Sequence, residues 1–231
     1  MTFTPASPLS LTAFLVVVVA VIAFTVGGLY WATRRSGQAD SRPVMKALIG
    51  IVLWNILIAG IVSSGAIEAA VFPRLPLFFM TMNLAGLFFA LSSFGRLLAA
   101  GVPIAWLVAF QGFRLPLELV LHSWATQGTI PETMTWTGQN WDILTGVVAL
   151  AAAPFVSKSR PLAWAVNGLG FALLLNVGRV AMLSSPLPFG WNVQPPLLLA
   201  LHLPYAWIGS VCVAGALAGH VILTRALLLR R

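Results

Sequence analysis

Seven stretches of apolar residues, most of them close to the length that crosses a bilayer, leave this chain essentially one fold class. They cover roughly residues 11–31, 47–67, 76–94, 98–124, 141–156, 162–183 and 203–229, the last with its apolar part ending at 223 and a helical continuation beyond it. A helical span through hydrocarbon takes about 20 apolar residues. None of the runs alternates as a barrel strand does, and in lipid a helix satisfies its own backbone within one segment. The sequence therefore predicts an all-α polytopic membrane bundle, a single domain of seven transmembrane helices over residues 1–231. The fifth run is short, and the fourth and seventh are long. Composition agrees: 59% of residues are AVILMFWYC and 8% are charged. At a mean hydropathy of +0.95, a water-soluble domain of this length would aggregate.

The basic residues orient the spans. Arg34, Arg35, Arg42 and Lys46 follow the first run, Arg96 the third, Lys158 and Arg160 the fifth, and Arg225, Arg230 and Arg231 close the chain. With seven spans these ten fall on one side, and the loops of the other side carry only Arg74. Cytoplasmic loops are the ones enriched in Lys and Arg, which predicts an outside N-terminus and a cytoplasmic C-terminus. The same rule accounts for the net charge of +8 without a nucleic-acid partner; the expected partner is the lipid bilayer. The first run has no basic segment before it, so it reads as a reverse signal anchor, with a cleaved signal peptide as the alternative. A single cysteine, Cys212, excludes an intrachain disulfide and any multi-cysteine metal site. It reads as a small buried apolar residue.

The outer loops are distinctive. Residues 127–140 read QGTIPETMTWTGQN, and residues 184–196 read SSPLPFGWNVQPP with four prolines and no charge. Such loops lie against the membrane face as lids, or anchor in the interface through Trp136, Trp141 and Trp191. The spans do not divide into the matching halves of a repeat-built transporter.

Against this hydrocarbon background, the stretch 111–142 contains an Arg, three carboxylates and a His. In the fourth span Gln111, Arg114, Glu118 and His122 fall within an arc of about 80° and cover some 16 Å of helix. A charged side chain at mid-bilayer costs roughly 2.5–3.5 kcal/mol on insertion scales, so these groups ask for partners. Pro116 sits inside the stripe, cannot donate to the Gly112 carbonyl, and should kink the helix there. Asn140 and Asp142 at the start of the fifth span, Asn176 and Arg179 near the outer end of the sixth, and His202 before the seventh are placed at similar depth. The expected pairs are Arg114 with Glu118 and Arg179 with Asp142, either as a hydrated pocket opening outward or as ion pairs that hold the bundle together. Asn55, Asn83 and Asn167 read as interhelical hydrogen bonds. His220 is placed close to the cytoplasmic face, away from this cluster, which argues against a pump.

His122 and His202 would suit one outer haem, or a metal site together with Glu118; no metal-binding motif supports either, and the expectation is no cofactor. Taken alone, His122 reads as a hydrogen-bond partner of Glu118 one turn earlier. An opsin is excluded, because the only lysines, Lys46 and Lys158, fall in cytoplasmic loops. No nucleophile elbow, P-loop or dinucleotide fingerprint occurs.

Phe113-Arg114, Glu118, Ile130-Pro131, Met134-Thr135, Gly138 to Ile143 and Leu174 to Asn176 together resemble a set of bacterial multi-pass membrane proteins with no characterised activity. Their pattern places an acid where this chain has Thr137. The resemblance runs from about residue 105 to the end of the chain. It implies a bacterial inner-membrane location and no activity. The residues themselves support three readings: binding or transport of a small zwitterionic or lipid-derived molecule, a membrane-embedded enzyme with Glu118 or His122 as base and Arg114 stabilising an anion, or a structural, partner-binding protein. Neither the order in which the spans pack nor an oligomeric state is legible at this level.

Overall fold

A computed structural model describes residues 2–37 and 41–230; Arg231 of the basic tail lies outside them. Every regular element among the described residues is helical: α1 Pro8–Arg35, α2 Arg42–Ser63, α3 Val71–Leu91, α4 Ser93–Gly101, α5 Ile104–Phe110, α6 Arg114–Thr126, α7 Ile143–Ala152, α8 Arg160–Ser184 and α9 Ala214–Leu229. A 3-10 turn, Gln111–Phe113, joins α5 to α6, and a π-helical segment, Ile208–Val213, leads into α9. Six helices are long and apolar enough to cross a membrane: α1, α2, α3, the joined helix Ile104–Thr126, α8 and the joined helix Ile208–Leu229. Large apolar side chains such as Val16, Leu53, Ile56, Phe88 and Leu175 are exposed along them, as befits surfaces that meet lipid.

Three boundaries differ from the expected runs, each for a backbone reason. The expected span 98–124 is split. Residues 98–101 belong to the short α4, and the chain is extended at Val102 before Pro103 (φ −82°, ψ 132°), the conformation that a following proline imposes. The expected span 141–156 yields only the ten-residue α7, about 15 Å long and half the hydrocarbon thickness. The last span begins at Ile208, because residues 203–206 form turns.

Basic side chains draw one end of the bundle together by capping helix C-termini. Arg225 donates to the carbonyls of Ala90 and Ser92 at the end of α3. Arg230 donates to those of Ala99 and Val102 at the end of α4, at 2.6 and 2.7 Å. Arg160 reaches the Leu227 and Arg230 carbonyls at the end of α9. The last carbonyls of a helix have no internal partner and carry the negative end of its dipole, so a guanidinium there satisfies both. Leu29, Ala32, Ala47, Leu98, Val156 and Leu223 form the core at this end. At the opposite end Phe14, Leu121, Trp124, Ile130, Val180 and Tyr205 pack together. Helix α2 is peripheral, burying only Ala47 and Ile58.

Between α6 and α7 the chain folds into the protein instead of lying across its face. Ile130, Met134, Thr135 and Asn140 are buried, and the Asn140 amide N–H donates back to the Thr135 carbonyl at 3.1 Å. Irregular backbone of this kind is tolerated at membrane depth only where protein encloses it.

Candidate functional site

The 3-10 turn places the first charged residue of the site. Pro116 falls in the first turn of α6, where its missing N–H has no intrahelical role, so the expected bend appears as the change of helix type at Gln111–Phe113. Arg114 at the start of α6 and Glu118 one turn later are both 1% exposed.

Arg114 does not pair with Glu118. Its Nε donates to Asp142 Oδ2 at 2.6 Å, and its Nη1 donates to the Gly170 carbonyl and to His220 Nε2, both at 3.1 Å. Asp142 Oδ1 accepts from the Thr145 hydroxyl at 3.1 Å. Glu118 Oε1 accepts from Asn140 Nδ2 at 2.8 Å, and that amide also reaches the Met134 carbonyl. Asn140 Oδ1 accepts the Asp142 N–H at 3.2 Å. The buried loop thus supplies Asn140 and Asp142 as a unit that holds both charged residues of α6. The hydrogen-bond pattern also sets the His220 tautomer. Arginine has only donors, so Nε2 accepts, and the ring proton on Nδ1 is donated to Asn167 Oδ1 at 2.9 Å. Asn167 in turn donates to Thr224 Oγ1 at 2.8 Å.

Gly170 makes room for this arrangement: a Cβ there would lie 2.5 Å from His220 Cε1 and 2.8 Å from Thr145 Cγ2. Above the cluster is a cavity of about 80 Å³, with Arg114, Glu118 and Asp142 in one wall and Phe79, Met82, Leu117, Leu174, Val177 and Met182 among the apolar remainder. The π-helical segment contributes Ile208, Gly209, Cys212 and Val213 to the same wall; π-bulges in helices occur frequently at functional sites. Arg114 Nη2 and Glu118 Oε2 are buried and have no partner.

The other expected residues lie elsewhere. Gln111 is buried and donates to the Ala216 carbonyl at 3.2 Å, which ties the 3-10 turn to α9; Gln111 itself does not line the cavity. Arg179 is exposed and forms no pair with Asp142; it donates to Asn176 Oδ1 and Gln139 Oε1, over the Trp191 ring. Asn176 donates to the Gln139 carbonyl at 2.7 Å. His122 stacks on Trp136 with centroids 4.2 Å apart, and its Nδ1 has no partner, so the expected bond to Glu118 is absent. His202 stacks on Phe3 at 4.1 Å. Among the described residues no three His, Cys, Asp or Glu converge on a point where a metal would sit. Asn55 forms the expected interhelical bond, to Ser210, whereas Asn83 donates within its own helix.

His220, Thr145 and Gly170 are the members that sequence reasoning missed or misplaced, whereas Asn167 on α8 forms the expected interhelical bonds, to His220 and Thr224 on α9. The error over His220 was one of depth. The helix runs on to Leu229 as expected, but His220 lies inside the bundle, 1% exposed and bonded to Arg114.

The chain matches no protein-family model, no curated protein and no solved structure. The site's chemistry therefore rests on its own geometry.

Proposed function

We propose that this protein binds, and in the first instance transports or presents, a small amphiphile with a zwitterionic or lipid-derived head, in the cavity above Arg114 and Glu118. The observation that carries the reading is that Arg114 and Glu118, each with a buried atom that has no partner (Nη2 and Oε2), line one mostly apolar cavity together with Asp142. An unmade hydrogen bond costs about 1–3 kcal/mol, and more for a charged group. A ligand that accepts from the guanidinium and donates to the carboxylate removes both costs. The cluster holds one cation and two carboxylates and so carries one net negative charge; a proton neutralises it, whereas a zwitterionic ligand leaves that sum unchanged and supplies a partner to each charge.

In this reading the chain crosses a bacterial inner membrane seven times, six times as long helices and once as the buried loop followed by α7. The N-terminus is outside and the basic, capped end is cytoplasmic. Support comes from the gathering of Arg160, Arg225 and Arg230 at one end of the bundle, as the orientation rule requires.

The test is thermal melting of purified protein with lysophosphatidylethanolamine, lysophosphatidylcholine and a neutral long-chain alcohol. Lysophosphatidylethanolamine, whose ammonium can donate to the carboxylate, should raise the wild-type melting temperature most, lysophosphatidylcholine, whose quaternary ammonium has no N–H, should raise it less, and the alcohol should not. Glu118→Gln, which keeps the Asn140 bond, should lose the response to the cationic head. If no compound shifts the wild type, and Glu118→Gln only changes stability, the cluster is structural. An enzymatic reading has one observation in its favour, a free carboxylate oxygen beside a guanidinium, the parts of a general base and an anion stabiliser. Chemical conversion of the same amphiphiles in detergent, with no gradient, would select it.

A further inference from the structure

A second, larger cavity of about 420 Å³ lies between α1, α2, α3 and α9, toward the basic end, and none of the groups of the first site line it. Its wall is built differently. Ile22, Ile51, Phe89, Leu98, Val211 and Ile222 provide most of it. Its uncharged polar side chains are satisfied: Asn55 and Ser210 are bonded to one another at 2.9 Å, and the Thr25 hydroxyl donates to the Val21 carbonyl at 2.9 Å. The Asn55 amide also donates to its own helix, at the Ile51 carbonyl. The leftover donor is the neutral indole N–H of Trp54. Nothing charged inside this cavity asks for a partner. The one cation in its lining is Lys46, exposed on the second turn of α2, on the same side as Arg34 and Arg35 in the last turn of α1. Phe24 and Phe88, 36% and 78% exposed, stand at its rim, so the cavity opens sideways toward lipid.

We infer that this cavity holds one acyl chain of an anionic phospholipid from the leaflet at the basic end, with its phosphate on Lys46. An apolar cavity excludes water, and its empty walls forgo the dispersion contacts that a hydrocarbon chain would supply. The peripheral position of α2, with only Ala47 and Ile58 buried, leaves the gap that the chain fills. A basic side chain at the mouth selects the headgroup by charge, because juxtamembrane Lys and Arg attract anionic lipid.

Gly50 provides the test. It lines the cavity, and a Cβ added there meets nothing within 4 Å, so Gly50→Phe or the smaller Gly50→Leu starts a bulky side chain from open space at the cavity wall. Native mass spectrometry of the detergent-purified protein would be titrated with phosphatidylglycerol and phosphatidylcholine of equal chain length. The wild type should retain a lipid adduct and prefer phosphatidylglycerol by about fivefold, the factor expected for one basic side chain near anionic lipid. Lys46→Gln should keep the adduct and lose the preference. Folded Gly50→Phe or Gly50→Leu should lose the adduct for both lipids. Equal retention of the two lipids by the wild type, or an undiminished adduct in the folded Gly50 variants, would overturn the assignment.

Discussion

Arg114 uses three of its five N–H donors on Asp142, Gly170 and His220 and keeps the two on Nη2 free. That division makes one residue both a structural keystone and a ligand contact, and substitutions can separate the roles. Arg114→Met leaves Asp142 buried without its cation and should cost about 3–5 kcal/mol in detergent unfolding experiments. Replacing the pair, Arg114→Met with Asp142→Leu, should recover most of that loss, because a buried ion pair is often no more stabilising than apolar side chains of similar volume. A double variant as unstable as the sum of the singles would show that Arg114 acts mainly through Gly170 and His220. At the other end of the molecule, burial of His202 holds its pKa below the ordinary value, outweighing the attraction of Glu68. The unfolded chain then binds the proton more readily than the folded one, so stability is full above the unfolded pKa of about 6.5 and declines as pH falls below it. The Phe3–His202 stack should loosen accordingly. The melting temperature should drop more in wild type than in His202→Leu between pH of about 7.5 and about 5.5.

At the scale of elements, the cluster depends on how closely α7 approaches α6. A Cβ at Gly146 would lie 2.4 Å from the Leu115 backbone nitrogen, which has no flexible end that could yield. Gly146→Ala should cost about 1–3 kcal/mol and should also weaken ligand binding, since the shift would be felt at the Arg114 bond of Asp142, four residues earlier at the N-cap of α7. Gly168→Ala, also within a helix but with nothing within 4 Å of the added Cβ, should be neutral or stabilising by up to about 1 kcal/mol. Equal effects of the two changes in a denaturation series would sink the packing argument. The element scale is also where the expected spans 98–124 and 141–156 went astray. Hydropathy registers apolar residues whether or not they share one helix, and neither the break at Val102–Pro103 nor the inward fold of residues 127–142 changes it.

For the molecule as a whole, orientation is the property most open to direct test. In a Cys212→Ala background, Ser36→Cys lies at the basic end and Pro188→Cys in the loop at the opposite end. A membrane-impermeant maleimide applied to intact cells should label Pro188→Cys and leave Ser36→Cys unmodified until the membrane is opened. The reverse pattern would invert the proposed topology, and labelling of both from outside would remove it.

The helical membrane architecture and the stripe bearing Arg114 and Glu118 were legible in the amino-acid order, because both rest on local quantities: the length of apolar runs, the 100° step of a helix and the cost of charge in hydrocarbon. The gathering of basic residues at one end was legible for the same reason. The partners were not. Arg114 had Glu118 as its nearest carboxylate along the helix, yet it binds Asp142, 28 residues away, because the buried loop brings Asn140 and Asp142 to α6 and occupies Glu118 with an amide. His220, 106 residues from Arg114, reaches it because α9 packs beside α8 and carries the ring to the Gly170 gap. A hydrogen bond between distant segments depends on which helices are neighbours and at what depth. Those relations are set by side-chain packing across the whole bundle, and no local period in the sequence encodes them.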